Sequence, residues 1–192
     1  MKKVIKNYIT KIENSKVYEV ANISPLSKAD YLSKELANSI YLKREDLQPT
    51  HSFKIRGAYN KISQLSASQK KLGVIAASAG NHAQGVALAC KKLNIKCNIV
   101  MPVTAPENKL NSVKRLGAKI TLHGENLAEA LVKADEISKK YNYTFVHPFD
   151  DPYTIAGQGT IGKENLQDDI KYDAIFVPVG GGGLLAGISA WI

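Results

Sequence analysis

The sequence has no uninterrupted apolar run near the ~18 residues that a membrane-spanning helix requires. Its amino terminus, MKKVIKNYITKIENSK, lacks the apolar core of roughly 7 to 15 residues that marks a secretory signal, so the cytoplasm is the expected location. Only Cys90 and Cys97 are cysteines, and their spacing suits neither a CxxC motif nor a disulfide framework, so both read as buried thiols. His51, His82, His123 and His147 show no HxxxH or HExxH spacing and have no cysteine within ligand reach in sequence, which leaves no metal site to expect. Internal repeats, low-complexity tracts and a Pro/Gly/Ser-rich linker are also missing.

Acidic residues are outnumbered, 17 against 26 basic ones, for a net charge of +9. Such a charge can announce a nucleic-acid partner, but the lysines are scattered among acids and spaced like solvated helix faces (KKLNIK, KKY, VKRLGAK). No aromatics interleave them and no arginine-rich stretch occurs, so no nucleic-acid partner is expected. With 192 residues, 44% hydrophobic and 22% charged, the chain has the composition of a folded globular protein of one full domain or two small ones.

Apolar residues at helical spacing (Val4, Ile5, Tyr8, Ile9, Ile12) predict a helix within 2–20, and Ile40 to Lys43 reads as a strand. From Phe53 the pattern alternates. Helices are expected near 54–65, 82–93, 107–116 and 127–141, and strands at GVIAASA, KCNIVMP, AKITLHG and TFVHP. Such alternation predicts an α/β fold with a wound parallel sheet in three layers. A helix over 153–166, an apolar strand DAIFVPV and a helix LLAGISAWI complete the reading. Ile192 falls inside an apolar stretch with no stop signal, so the sheet is expected to be incomplete and the chain an amino-terminal fragment. In that case Val177, Val179, Leu184, Leu185, Ile188 and Trp191 would lose about half of their partners.

Three segments can carry chemistry. In THSFKIRGAYN, Lys54 lies at a helix start between Phe53 and Ile55, where the helix dipole and desolvation would disfavour its charged form; an ordinary surface lysine would look the same in isolation. The segment SAGNHAQG, Ser78 to Gly85, joins a strand to a helix and offers free N–H groups to a carboxylate or phosphate, or else is a plain helix cap by Ser78 or Asn81. VGGGGLLAG, Val179 to Gly187, repeats that junction with four glycines. It is either a phosphate cradle or a flexible turn, and it is not the dinucleotide fingerprint, which follows the first strand of its unit.

Taken together and in this order, SFKIRGA, SAGNHAQG and GGGGL resemble the pyridoxal-phosphate enzymes of fold type II, the tryptophan synthase beta-like fold. Within that group the chain looks like the threonine dehydratases (threonine deaminases) of the biosynthetic type, through VYEVANISPLSKADYLSKELANSIYLKREDLQPTHSFKIRGAYNK, GVIAASAGNHAQGVALA, HPFDDPYTIAGQGTIGKE and VPVGGGGLLAGI. The resemblance implies two domains: a small parallel-sheet domain over 55–147, with 1–54 and 148–192 belonging to a larger cofactor domain. It implies pyridoxal 5'-phosphate bound by Lys54 as a Schiff base near Phe53, with Asn81 at the phenolic oxygen. The amides of Gly180, Gly181, Gly182, Gly183 and Leu184 would hold the phosphate, and Ser78, Ala79, Gly80, Asn81 and His82 would grip the substrate carboxylate. The implied reaction is beta-elimination from L-threonine or L-serine to 2-oxobutanoate or pyruvate and ammonia, the first step of isoleucine biosynthesis, in a homo-oligomer that binds no membrane. The family's ring-nitrogen partner and regulatory domain would lie beyond Ile192, so a chain ending there is expected to hold the cofactor poorly. Gly162 and Lys163 depart from the family pattern and read as a surface change. The other readings are a serine racemase or related hydroxy-amino-acid lyase, and an inactive remnant.

Overall fold

All four residues of Val74–Ala77 are buried, so this strand has apolar neighbours on both faces and must lie inside a sheet. The computed structural model describes residues 2–167 and 170–192. In chain order its elements are α1 (Lys2–Glu13), a 3-10 turn (Val17–Glu19), β1 (Leu26–Lys28), α2 (Asp30–Glu35), β2 (Tyr41–Lys43), a second 3-10 turn (Glu45–Leu47), α3 (Lys54–Ser63), α4 (Ala67–Leu72), β3 (Val74–Ala77), α5 (Asn81–Leu93), β4 (Cys97–Met101), α6 (Glu107–Arg115), β5 (Lys119–Leu122), α7 (Leu127–Tyr141), β6 (Thr144–Phe145), α8 (Pro152–Asn165) and α9 (Gly183–Trp191).

The sheet has the order β5-β4-β3-β6 and every pairing in it is parallel, with Val74 opposite both Cys97 and Thr144, and Asn98 opposite Lys119. Side chains alternate across it. Ile75, Ala77 and Val100 meet Ala130 and Ala134 of α7 on one face, while Val74, Ala76, Ile99 and Met101 join Val86, Ala87 and Cys90 of α5 on the other. This is the expected three-layer α/β arrangement. β5 forms one edge, and its exposed Lys119 is a residue suited to an unpaired side. Asn126 caps α7 by accepting from the Glu129 N–H, and Asn94 and Asn142 end α5 and α7 in the left-handed conformation, which asparagine tolerates well.

Several expectations need correction. The apolar stretch 173–179 forms no strand; it runs without ladder partners, with Phe176 94% exposed and Val179 61% exposed. It borders an open groove of about 720 Å³ that Leu166, Leu185 and Ile192 also line. An apolar strand needs neighbours to pair with, and apolarity alone does not supply them. Ile188 keeps its partners and is buried, in contrast to Leu185. Cys97 is half-buried, whereas Cys90 is buried as expected. Gly162 is also buried: an added Cβ would meet Ile188 backbone at 3.1 Å, so no surface change is involved. Only Lys163 reaches outward, 5.7 Å from the Trp191 ring centroid.

Candidate active site

Lys54 is the first residue of α3, and Phe53 at the cap position provides no side-chain acceptor for the helix's first N–H groups. The Lys54 ammonium donates to the Pro148 carbonyl at 2.8 Å and lies 5.1 Å from the centroid of the Phe53 ring. Partial burial lowers its pKa from the ordinary 10.5, because withdrawal from water penalises the charged form.

At the start of α5 the backbone donors are divided. The Ser78 N–H continues the sheet by donating to the Val100 carbonyl at 3.1 Å, and Gly80 N–H donates to Ser78 Oγ at 3.2 Å. Among the described residues, the N–H groups of Ala79, Asn81 and His82 have no acceptor, so these three remain for an anion while Ser78 keeps only its hydroxyl proton to offer. The Asn81 side chain is exposed. The His82 ring is buried and its Nε2–H donates to the Val146 carbonyl at 2.8 Å; a carbonyl can only accept, which fixes the tautomer. Burial above all, then the charge of Lys54, pushes the His82 pKa down to about 4, so the ring is neutral near pH 7.

In the glycine loop the backbone N–H groups of Gly180 through Leu184 likewise find no acceptor among the described residues. Gly182, at the cap of α9, has φ +85°, which only glycine adopts without strain. Gly181 and Gly183 are constrained differently. A Cβ on Gly181 would strike the Phe149 ring, and one on Gly183 would lie 2.6 Å from the Phe149 carbonyl oxygen.

Close helix contacts bring these segments together. Gly85 of α5 abuts the start of α3, where an added Cβ would lie 3.1 Å from the Lys54 carbonyl carbon. Gly157 of α8 faces Gly57 of α3, and Gly187 of α9 faces Gly159 of α8. One turn, 146–150, then touches all three segments: Val146 through His82, Pro148 through Lys54, and Phe149 under the glycine loop. It is held by its own histidine, since His147 Nδ1 accepts from the Asp150 N–H at 2.7 Å and the ring meets Phe149 edge-on at 4.6 Å. Sequence reasoning placed no role on this turn. Its signal was HPFDD, a polar and aromatic cluster closing a strand.

A second missed feature is Arg56, which is fully buried. Its Nε and Nη2 donate to the two Glu45 carboxylate oxygens at 2.8 and 2.7 Å, Nη1 donates to Thr160 Oγ1 at 3.0 Å, and Nη2 donates to Glu164 Oε2 at 3.1 Å. Lys43 adds an ion pair with Glu164 at 2.9 Å, and the Tyr18 hydroxyl donates to the same carboxylate. Burial raises the Glu164 pKa, but the hydrogen bonds and charges of Arg56 and Lys43 outweigh it and leave the carboxyl below its ordinary 4.5. Tyr18 is pushed up to about 12 by burial and by Glu164. The cluster ties α3, two residues past Lys54, to α8, to β2 and to the second 3-10 turn. Among the described residues no helix is long and apolar enough to cross a membrane, and no group of three or more His, Cys, Asp or Glu side chains is placed to hold a metal ion.

Comparison with known proteins gives a consistent picture. Residues 19–192 match the family model described as pyridoxal-phosphate dependent enzyme. The chain is 54% identical over 185 residues to the biosynthetic L-threonine dehydratase of Pasteurella multocida, covering 96% of this chain and 36% of that protein. It is 50% identical to the Escherichia coli enzyme of that name, with the same two coverages of 96% and 36%. The chain thus spans about a third of the length of these curated relatives. Among solved structures, the processed threonine deaminase isoform 2 of Solanum lycopersicum superposes with a TM-score of 0.95 at 49% identity, over 98% of this chain and 55% of that one. Maize serine racemase gives 0.88 at 32%, over 97% and 55%.

Proposed function

The chain belongs to the family of pyridoxal-phosphate dependent enzymes, and on that premise we propose that its site serves the deamination of L-threonine, and of L-serine, to a 2-oxo acid and ammonia. The observation that carries the reading is the convergence of a half-buried lysine, a helix-start loop and a glycine loop on one turn. The residues fit the cofactor. Lys54 is an amine with its charged form disfavoured, and the glycine loop presents N–H groups with no protein acceptor, in a space where a Cβ at Gly180 or Gly182 would meet nothing within 4 Å.

In this reading Lys54 Nζ would hold the cofactor through its aldehyde carbon, and the free N–H groups of Gly180 to Leu184, at the start of α9, would receive its phosphate. Phe53 packs beside the Lys54 stem, and Asn81 offers its amide to the phenolic oxygen. When bound, the cofactor supplies an electron sink for the charge left at the substrate's alpha carbon. Lys54 Nζ would take the alpha proton of the bound substrate, and its lowered pKa favours that role. The N–H groups of Ala79, Asn81 and His82, with the Ser78 hydroxyl and the Gly80 backbone shaping the turn, receive the substrate carboxylate. Neutral His82 keeps a second positive charge out of the floor of the site. We place the small sheet domain at 55–147, assign 1–54 and 148–192 to the larger one, and take the working form to be a cytoplasmic homo-oligomer.

The test is borohydride trapping with pyridoxal 5'-phosphate, mapped by mass spectrometry, together with 2-oxobutanoate formation from threonine. Label on Lys54, lost in Lys54→Ala, is expected; label distributed over other lysines would sink the assignment. The likeness to maize serine racemase favours a second reading, racemisation of serine. Formation of D-serine in excess of pyruvate would replace the first reading by the second.

A further inference from the structure

The glycine loop alternates in what lies behind it. A Cβ at position 180 or 182 would point into open space, whereas at 181 it would strike the Phe149 ring and at 183 the Phe149 backbone. A run of glycines has no side chains to anchor it and loses the most conformational entropy on becoming ordered. Something outside the loop must therefore hold its N–H groups in one direction. Phe149 is the group in contact at both alternate positions, and its own position is fixed on either side: Pro148 accepts from Lys54 Nζ at 2.8 Å, and the Phe149 and Asp150 N–H groups turn back onto His147 Nδ1.

We propose that Phe149 is a positioning residue for the anion loop, a wedge that seats Gly181 and Gly183 so that the N–H groups of 180–184 form a preorganised site for a phosphate group at a set distance from Lys54. The proposal rests on the cofactor reading above and adds to it the residue that makes the loop selective for a phosphorylated aldehyde. The ring bears directly on the loop, whereas Lys54 meets this turn through the Pro148 carbonyl, so losing the ring should affect phosphate binding more than the Lys54 amine.

That separation defines the experiment. The chain is incubated with pyridoxal 5'-phosphate or with pyridoxal, the same aldehyde without the phosphate, reduced with borohydride, and the Lys54 peptide quantified. The native chain is expected to favour the phosphorylated aldehyde by about tenfold or more. In Phe149→Ala labelling by pyridoxal 5'-phosphate is expected to fall further than labelling by pyridoxal, so that the preference collapses towards parity, and Phe149→Tyr, which keeps the ring, is expected to restore it. Gly181→Ala should lose the preference in the same way, and combining it with Phe149→Ala, which clears space for the new methyl, should cost less than the two changes summed. Hydrogen exchange of the 179–185 backbone is read in parallel and should accelerate in Phe149→Ala. Retention of the preference, or unchanged exchange in the loop, overturns the proposal. If Phe149→Ala does not fold, Gly181→Ala and Phe149→Tyr decide it on the same two readouts. Absence of any Lys54 label in the native chain would instead overturn the cofactor reading, and the exchange measurement would still decide whether Phe149 holds the loop.

Discussion

Two regions of the molecule hold together by different means. Around the sheet, Val74, Ile75, Ile99, Val100 and Met101 meet Val86, Ala87, Ala130 and Ala134, an aliphatic core in which burial is the main stabilising term. Where α3, α8 and α9 meet, bulky aliphatics are few. Gly57, Gly157, Gly159, Gly162 and Gly187 let backbones approach closely, and Arg56, Glu45 and Glu164 fill the remaining space with buried charge. A core of the first kind tolerates small changes of volume, whereas the second depends on each partner being present. The candidate site lies on the second kind, with Lys54 two residues before Arg56.

The largest expected effect tests that dependence. Arg56→Ala leaves the half-buried Glu45 carboxylate without its cation and the buried Glu164 with Lys43 alone, and should cost about 3–5 kcal/mol, the usual size for breaking a buried pair. Urea unfolding would measure it, and a loss under 1 kcal/mol would mean that water compensates the cluster. Next comes acid. The His82 pKa is depressed by burial to about 4, so the folded state resists a proton that the unfolded chain accepts near 6.5. Its contribution is complete above pH 6.5 and is lost as pH falls towards 4, on the order of 3 kcal/mol by the conversion of pKa difference to free energy. His82→Asn should flatten that part of the stability profile. Glu164 adds to the slope lower down, since its carboxyl titrates below 4.5 and its contribution disappears as pH falls through that lower value.

A smaller effect is expected from Gly157→Ala. Its Cβ would lie 2.6 Å from the Arg56 carbonyl oxygen, so overpacking of about 1–3 kcal/mol should outweigh the better helix propensity of alanine. The smallest belongs to the sheet, where Ile99→Val should cost about 0.5–1.5 kcal/mol and leave Lys54 labelling unaltered. If Ile99→Val proved the more damaging of the two, the contrast between the regions would fail.

The same contrast explains what could be read from the sequence. Strands and helices of the sheet region followed from aliphatic periodicity, and α7 was placed at Leu127 to Tyr141 as observed. The three chemical segments stood out because a lysine, an asparagine and clustered glycines each stand at or just before a helix start. Of the short antiparallel pair, β2 was expected at Ile40 to Lys43, whereas β1 gives almost no periodicity in three residues. Helix α4 was missed although Ser66 and Gln69 form a capping box, a signal that was there to use. Arg56 was passed over as a flank of Lys54, and Gly162 as a surface residue, because both depend on partners about a hundred residues away or on another helix, which no local pattern encodes. For 173–179 the error ran the other way, from apolar composition to a strand with no neighbour to pair with.

The separation between Arg56 and Glu164 has a consequence for how the chain is made. These partners are 108 residues apart, whereas β3, β4 and β5 pair with their successive neighbours in sequence. At roughly 5–20 residues per second of synthesis, the guanidinium waits on the order of 5 to 20 seconds for its second carboxylate. During that interval the sheet can close while the first turn of α3, packed on α5 and paired with Glu45, still lacks its partners on α8. Ribosome-bound chains stopped before residue 152 should therefore show protection of the β3–β5 backbone against hydrogen exchange and less at Gly57, whose N–H donates to Gln158 of α8; equal protection at both would mean that the site assembles without α8.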